Sequence, residues 1–194
     1  MSTDTRTRLV TDATHLVRRR GYSGFSYADL AETVGIRKPS IHHYFPFKED
    51  LGLEIVNVYT ERFKASLAEI LAEFDSVNER LSAYADLYRE GLAVGEGCLC
   101  GVLASELSGL PPALKSGVER FFTLNVEWLE RVLLDGAKAP GKRRVAAARQ
   151  RAQIILSAFQ GAVFVALATN APEAFDAAVD GLLSILQSDP VRAQ

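Results

Sequence analysis

The chain is poor in the residues on which most active sites depend. Its 194 residues include two cysteines, one tryptophan and three histidines, and no histidine lies beyond position 43. Two cysteines one residue apart do not make the disulfide framework of a secreted fold. There is no glycine-rich phosphate loop, no spacing of metal ligands, no strand alternation suited to a cofactor fold, and no Ser/His/acid set outside the first fifty residues. These absences argue against an enzyme and lead us to expect no cofactor and no bound metal. The N-terminus does not read as a signal peptide, because Arg6, Arg8, His15 and Arg18-Arg19-Arg20 interrupt it, so a cytoplasmic location is expected. One uncharged run, Ile154–Ala171, is 18 residues long and near the lower limit for crossing a bilayer. Ser157, Gln160, Gly161, Thr169 and Asn170 interrupt it, and a helix buried on most sides gives the same signal, so no membrane partner is expected.

The composition favours helix: Ala, Leu, Glu and Arg are abundant and alternating β-branched runs are scarce. The net charge of −2 conceals an asymmetry. Residues 1–50 hold eight Lys/Arg against six Asp/Glu, whereas residues 51–194 hold fourteen against eighteen. A mildly cationic N-terminal segment on an acidic chain fits contact with phosphate.

Residues 21–51, GYSGFSYADLAETVGIRKPSIHHYFPFKEDL, are the most informative stretch. Ser26-Tyr27-Ala28-Asp29 has the form of a capping box, with an acid at the positive helix end. Leu30, Ala31 and Val34 follow on one face, and Gly35 permits a sharp reversal. Pro39 suits the first turn of the next helix, where its missing N–H costs nothing. Ile41 and Phe45, four apart, would pin that helix and leave His42, His43, Tyr44 and Lys48 outward or at the edge. The spacing predicts a helix-turn-helix with a short reading helix.

These residues resemble the N-terminal domain of TetR-type (TetR/AcrR) regulators. The matching positions are Leu30-Ala31, Gly35, Lys38, Ile41-His42-His43-Tyr44-Phe45 and Lys48-Glu49-Asp50-Leu51. The chain departs from that pattern at Tyr27, Pro39, His42-His43 and Pro46, which leaves the operator sequence open. The resemblance implies a repressor that binds double-stranded operator DNA, with Lys38, Tyr44 and Lys48 on phosphates and His42 and His43 where the family touches bases or backbone. Arg37 and Ser40 could also reach base edges, and Ser26 and Tyr27 complete the candidate set.

The expected architecture is all-α, with about nine helices: a helix-turn-helix domain over 1–51 and a ligand-binding and dimerisation domain over 52–194. Expected helices run over about 5–20, 48–74, 77–94, 101–107, 113–137, 142–169 and 172–187, besides the two in the motif. Leu9, Ala13, Leu16 and Val17 form the apolar stripe of the first. A Gly/Pro/Lys-rich turn is expected at Gly136–Gly141, and a frayed tail beyond Ser188. The last two helices carry broad faces of small and aliphatic residues. Examples are Ala158, Gly161, Ala162, Val165, Ala166 and Leu167, then Ala177, Ala178, Gly181, Leu182, Ile185 and Leu186. Such faces need neighbours on several sides, and the resemblance implies a homodimer built through these two helices.

The second feature is Gly97-Cys98-Leu99-Cys100-Gly101, where both cysteines sit in a glycine-flanked break before a short helix. Helix N-termini favour the thiolate. The string GCLCGVLASEL resembles the matching stretch in electrophile-sensing repressors of the same family, which makes Cys98 the implied sensing thiol. Cys100 would then serve to resolve a sulfenic acid. A purely structural role for both thiols, and a soft-metal thiolate site, are the competing readings. A further alternative is release by a small apolar or aromatic ligand held by Tyr84, Tyr88, Phe121, Phe122, Trp128, Phe159 and Phe164. A thiol enzyme or a helical adaptor are the rivals from other classes.

Overall fold

The computed structural model describes residues 2–135 and 141–188. Among these residues the chain is all-α, with nine α-helices and no strand. They are α1 (Ser2–Arg20), α2 (Tyr27–Val34), α3 (Lys38–Tyr44), α4 (Lys48–Glu73), α5 (Val77–Leu92), α6 (Leu99–Ser105), α7 (Pro112–Leu134), α8 (Lys142–Thr169) and α9 (Glu173–Ser188). A single 3-10 turn, Leu107–Gly109, lies between α6 and α7. The expected turn at Gly136–Gly141 and the tail beyond Ser188 fall outside the described residues, except that Gly141 caps α8 in extended geometry. The short sixth helix starts and ends two residues earlier than its sequence pattern suggested, because Cys98 already takes the N-cap conformation.

The helices form two compact units. The first comprises Met1–Lys64 and Glu96–Phe122. Its core takes Leu9, Val10, Ala13, Leu16 and Val17 from α1, Leu30 and Val34 from α2, Ile41 from α3, Leu51, Ile55 and Val56 from α4, and Leu99, Cys100 and Leu103 from α6. Burying each of the larger aliphatic side chains contributes about 1.5–3 kcal/mol. Two glycines allow the helices of this unit to approach closely. A Cβ at Gly52 would lie 2.8 Å from Leu114 and 2.9 Å from Tyr22, and one at Gly117 would lie 2.8 Å from Val56.

The second unit comprises Ala65–Gly95 and Thr123–Gln194. Ser76 starts α5 with a reciprocal capping box to Glu79. Tyr84, Tyr88, Trp128, Phe159 and Phe175 make an aromatic cluster, with Tyr84 stacked on Trp128 and Phe159. The polar ends of the cluster are satisfied: Tyr84 donates to Asn125 at 2.8 Å, and Trp128 Nε1 donates to the Leu67 carbonyl at 3.0 Å. Arg89 joins α5 to α9 through Asp176 at 2.6 Å. By length and composition α8 could cross a membrane, but 44% of its most apolar window is buried in the protein. Its outer face carries Ile154, Phe164 and Val165, and α9 exposes Ile185.

Candidate nucleic-acid interface and thiol site

The reading helix is fixed from below and open above. Ser26 accepts from the Ala28 and Asp29 amides, and Asp29 accepts from the Ser26 amide at 2.7 Å. That hydrogen bonding holds the Asp29 carboxyl below its usual range. The chain then reverses at Gly35, whose φ of 74° is left-handed. Pro39 lies in the first turn of α3, as its missing donor allows. Ile41 is fully buried and anchors α3, and Phe45 ends the helix inside the core. Arg37, Lys38, Ser40, His42 and His43 are left exposed along the outer side, with Tyr44 half-buried beside them. His43 and Tyr44 meet edge to face at 5.3 Å. The arrangement offers a row of donors on a short helix, which is what contact with phosphates and base edges requires.

Two of the candidate DNA-facing residues sit elsewhere. Tyr27 is buried, and its hydroxyl donates to the Phe45 carbonyl at 2.9 Å. Its position at the start of α2 turns the ring inward, where it packs edge to face on His42 at 4.9 Å. Burial first, then Asp50 and Tyr22, push its pKa up to about 12. Lys48 donates to the Tyr22 and Phe25 carbonyls, each at 2.5 Å, and lies over both rings. Its ammonium therefore ties the turn between α1 and α2 to the start of α4. Burial lowers its pKa.

The thiols also lie in the first unit, and both are buried and free. Cys98 caps α6 and accepts from the Tyr59 hydroxyl at 3.7 Å. Burial, then the neighbouring thiol, pushes the Tyr59 hydroxyl well above its ordinary value. Cys100 has no exposed surface, and burial raises its pKa well above that of a free thiol. It is thus held as a protonated thiol, which weakens it as a nucleophile or resolving group.

Around the thiols lies a cluster that sequence reading missed. Glu96, fully buried, takes His15 Nδ1 at 2.8 Å, Arg18 at 2.9 Å and Arg19 at 3.0 Å. Arg18 Nε also donates to the Gly97 carbonyl at 2.7 Å, and its guanidinium lies 6.0 Å from the Tyr59 ring centre. At the other end of α6, Glu106 accepts from the Ser23 amide at 2.9 Å. The basic last turn of α1 was visible in the sequence, but nothing in it pointed to an acid about eighty residues away. Among the described residues no group of three or more His, Cys, Asp and Glu could hold a metal ion.

The candidate pocket aromatics do not form one set. Tyr84, Tyr88, Trp128 and Phe159 belong to the aromatic cluster of the second unit. Phe121 and Phe122 belong to the first, where Phe121 packs on Tyr59 and Phe63. Phe164 is exposed on α8. Gln160, on α8 and buried, has no hydrogen-bond partner for either side-chain amide atom.

Comparison with known proteins agrees with this geometry. A family model described as "Bacterial regulatory proteins, tetR family" matches residues 9–55. A TetR-family transcriptional regulator from Agrobacterium tumefaciens of known crystal structure is 31% identical, with a TM-score of 0.85 over 95% of this chain and 98% of that one. The transcriptional repressor DhaR of Mycobacterium sp. (strain GP1) is 26% identical over 83% of this chain and 81% of its own length. The transcriptional repressor NemR of Escherichia coli (strain K12) is 24% identical over 97% of this chain and 96% of its own. These relatives are regulators rather than enzymes. The chain belongs to the TetR family of bacterial DNA-binding transcriptional regulators.

Proposed function

We propose that this protein is a cytoplasmic homodimeric repressor that binds a palindromic operator through α3 and is released when an electrophile modifies Cys98. The observation that carries the DNA part is the exposed row Arg37, Lys38, Ser40, His42 and His43 on a helix pinned by buried Ile41. In this reading residues 1–51 are the DNA-binding part, and residues 52–194 bear the effector and dimer functions. Dimerisation is supported by the exposed Ile154, Phe164 and Val165 of α8 and Ile185 of α9, large apolar side chains that a second copy would cover. A two-fold dimer matches half-sites in successive major grooves.

Release is assigned to Cys98 rather than Cys100, because the Cys98 sulfur accepts from a hydroxyl and because burial holds the proton on Cys100. The Cys98 sulfur attacks the β-carbon of an α,β-unsaturated carbonyl, forming an S–C bond, and its proton passes to water. The displaced π pair moves to the α-carbon, which takes a proton from water. The modification is stoichiometric, not a turnover: His15, the histidine of α1, is engaged by Glu96 rather than by a thiol.

A second reading is release by a bound small molecule. Gln160 favours it, since neither amide atom of this buried side chain has a hydrogen-bond partner within the protein. Fluorescence anisotropy on a duplex flanking the protein's own gene, with and without N-ethylmaleimide, separates the two. Loss of binding in the wild type but not in Cys98→Ser supports thiol gating. Equal loss in both, or none in either, retires it and leaves the small-molecule reading.

A further inference from the structure

Both ends of the thiol-bearing segment are held by carboxylates, and both hold onto the same short stretch of the reading head. At the leading end, Glu96 is wholly removed from water. His15, Arg18 and Arg19, which grip it, lie three and four residues apart on one face of the last turns of α1. A buried carboxylate is tolerable only while it is paired, so Glu96 cannot leave α1 without a large loss. Arg18 strengthens this grip by donating to the Gly97 carbonyl. At the trailing end, Glu106 accepts from the Ser23 amide, and its Oε1 occupies the space where a Cβ at Gly21 would stand, 1.8 Å away. Gly21 has a φ of 81°, so the chain there both turns and admits the carboxylate.

Between these grips Leu99, Cys100, Gly101 and Leu103 are all buried, and Cys98 is only 5% exposed. A close-packed segment has no room for a larger group without moving. Glu96 is two residues from Cys98, a reach of about 7 Å at most, so little slack separates the thiol from the grip.

We propose that Glu96 and Glu106 form a two-point yoke that carries displacement of α6 into the end of α1 and hence into the reading helices, with Glu96 as the principal positioning residue. The inference deepens the thiol-gated reading but depends on it only for the agent that moves α6. Any enlargement at Cys98 acts through the same grip. Glu96 touches neither DNA nor the electrophile; it acts through α1.

The test uses the full-length protein and a duplex selected by the wild type from a random-sequence pool. Operator affinity is measured for the wild type, Cys98→Met, Glu96→Gln and the double variant, with amide exchange followed over residues 15–25. The yoke predicts that Cys98→Met weakens binding about tenfold or more when Glu96 is present, and by less than about threefold in the E96Q background. Where E96Q binds too weakly to compare, exchange decides: it rises on Cys98→Met only when Glu96 is present. Arg18→Gln, which removes the same ion pair from its more exposed side, replaces E96Q if that variant does not fold. Equal effects in both backgrounds, or no effect of Cys98→Met in either, overturn the proposal. N-ethylmaleimide, with the adduct on Cys98 verified by mass spectrometry, separates the two readings. An adduct that leaves binding intact, beside a Glu96-dependent effect of Cys98→Met, retires thiol gating and keeps the yoke.

Discussion

Replacing Tyr27 with Phe deletes one oxygen from the reading head and asks what that oxygen does. If the hydroxyl served DNA, as its position in the motif suggests, its loss would cost affinity and leave stability unchanged. The structure gives it another task, because it donates to the Phe45 carbonyl at 2.9 Å inside the module and so ties the start of α2 to the end of α3. A typical internal hydrogen bond contributes about 1 kcal/mol net, and removing one partner so that a buried carbonyl is left unpaired costs about 1–3 kcal/mol in all. Tyr27→Phe should therefore lose about 2 kcal/mol. At this chain length each kcal/mol moves Tm by about 2–4 °C, so a fall of roughly 4–8 °C is expected at fixed protein concentration. The pH dependence supplies a second signature. With the folded pKa at about 12 and the ordinary value at 10.0, the unfolded chain loses this proton first. The stabilising contribution is therefore complete below pH 10 and is lost as pH rises toward 12. Chemical denaturation across that window should show a steeper loss for the wild type than for Tyr27→Phe. An unchanged Tm combined with a weaker operator complex would refute the assignment and return Tyr27 to the DNA surface.

Arg37→Gln and Lys38→Gln should each flatten the log–log salt dependence of operator binding. The slope falls by about 0.9 for each phosphate no longer neutralised, or about 1.8 in a dimer, read by anisotropy titrations at several salt concentrations. Phe164→Glu and Ile185→Glu should convert the dimer to monomer in analytical ultracentrifugation and abolish tight operator binding; a persistent dimer would move the interface elsewhere. Gly52→Ala should destabilise by about 1–3 kcal/mol in chemical denaturation, because a Cβ 2.8 Å from Leu114 and 2.9 Å from Tyr22 forces two packed side chains to shift. Timed labelling with N-ethylmaleimide and mass spectrometry should find Cys98 modified well before Cys100, whose burial keeps its proton on.

Local structure was legible because its causes are local. The cap at Ser26, the left-handed Gly35, the proline opening α3, and the apolar stripe Leu9, Ala13, Leu16 and Val17 all act within a turn or two. The row of exposed donors on α3 follows from the same periodicity, since Ile41 and Phe45 fix which side faces inward. Where partners lie far apart in sequence, periodicity gives no guidance. Tyr27 and Lys48 are polar residues in a polar motif, and only the fold shows that carbonyls 18 to 26 residues away claim them. Glu96 looks like a loop acid until His15, about eighty residues earlier, is found on it. The aromatics of α5, α7 and α8 share helical spacing, yet Phe121 and Trp128, on one helix, fall in different compact units. Spacing assigns a face of a helix but not which neighbours that face meets.

The make-up of the first unit bears on how the chain acquires its fold during synthesis. Residues 1–64 leave the ribosome well before residues 96–122, which complete that unit. At about 5–20 residues per second the gap between residue 64 and residue 122 lasts roughly 3–12 s. Until residue 96 is made, His15, Arg18 and Arg19 lack the carboxylate that pairs them, and Gly52 and Val56 wait longer still for Leu114 and Gly117. A nascent head is therefore a looser object than the finished one, and its final rigidity arrives with the thiol segment. The same reasoning applies to domain grafting: a head cut at residue 51 and fused to another protein leaves its clamp behind. Carrying residues 96–106 along would be needed to keep that clamp in such a graft.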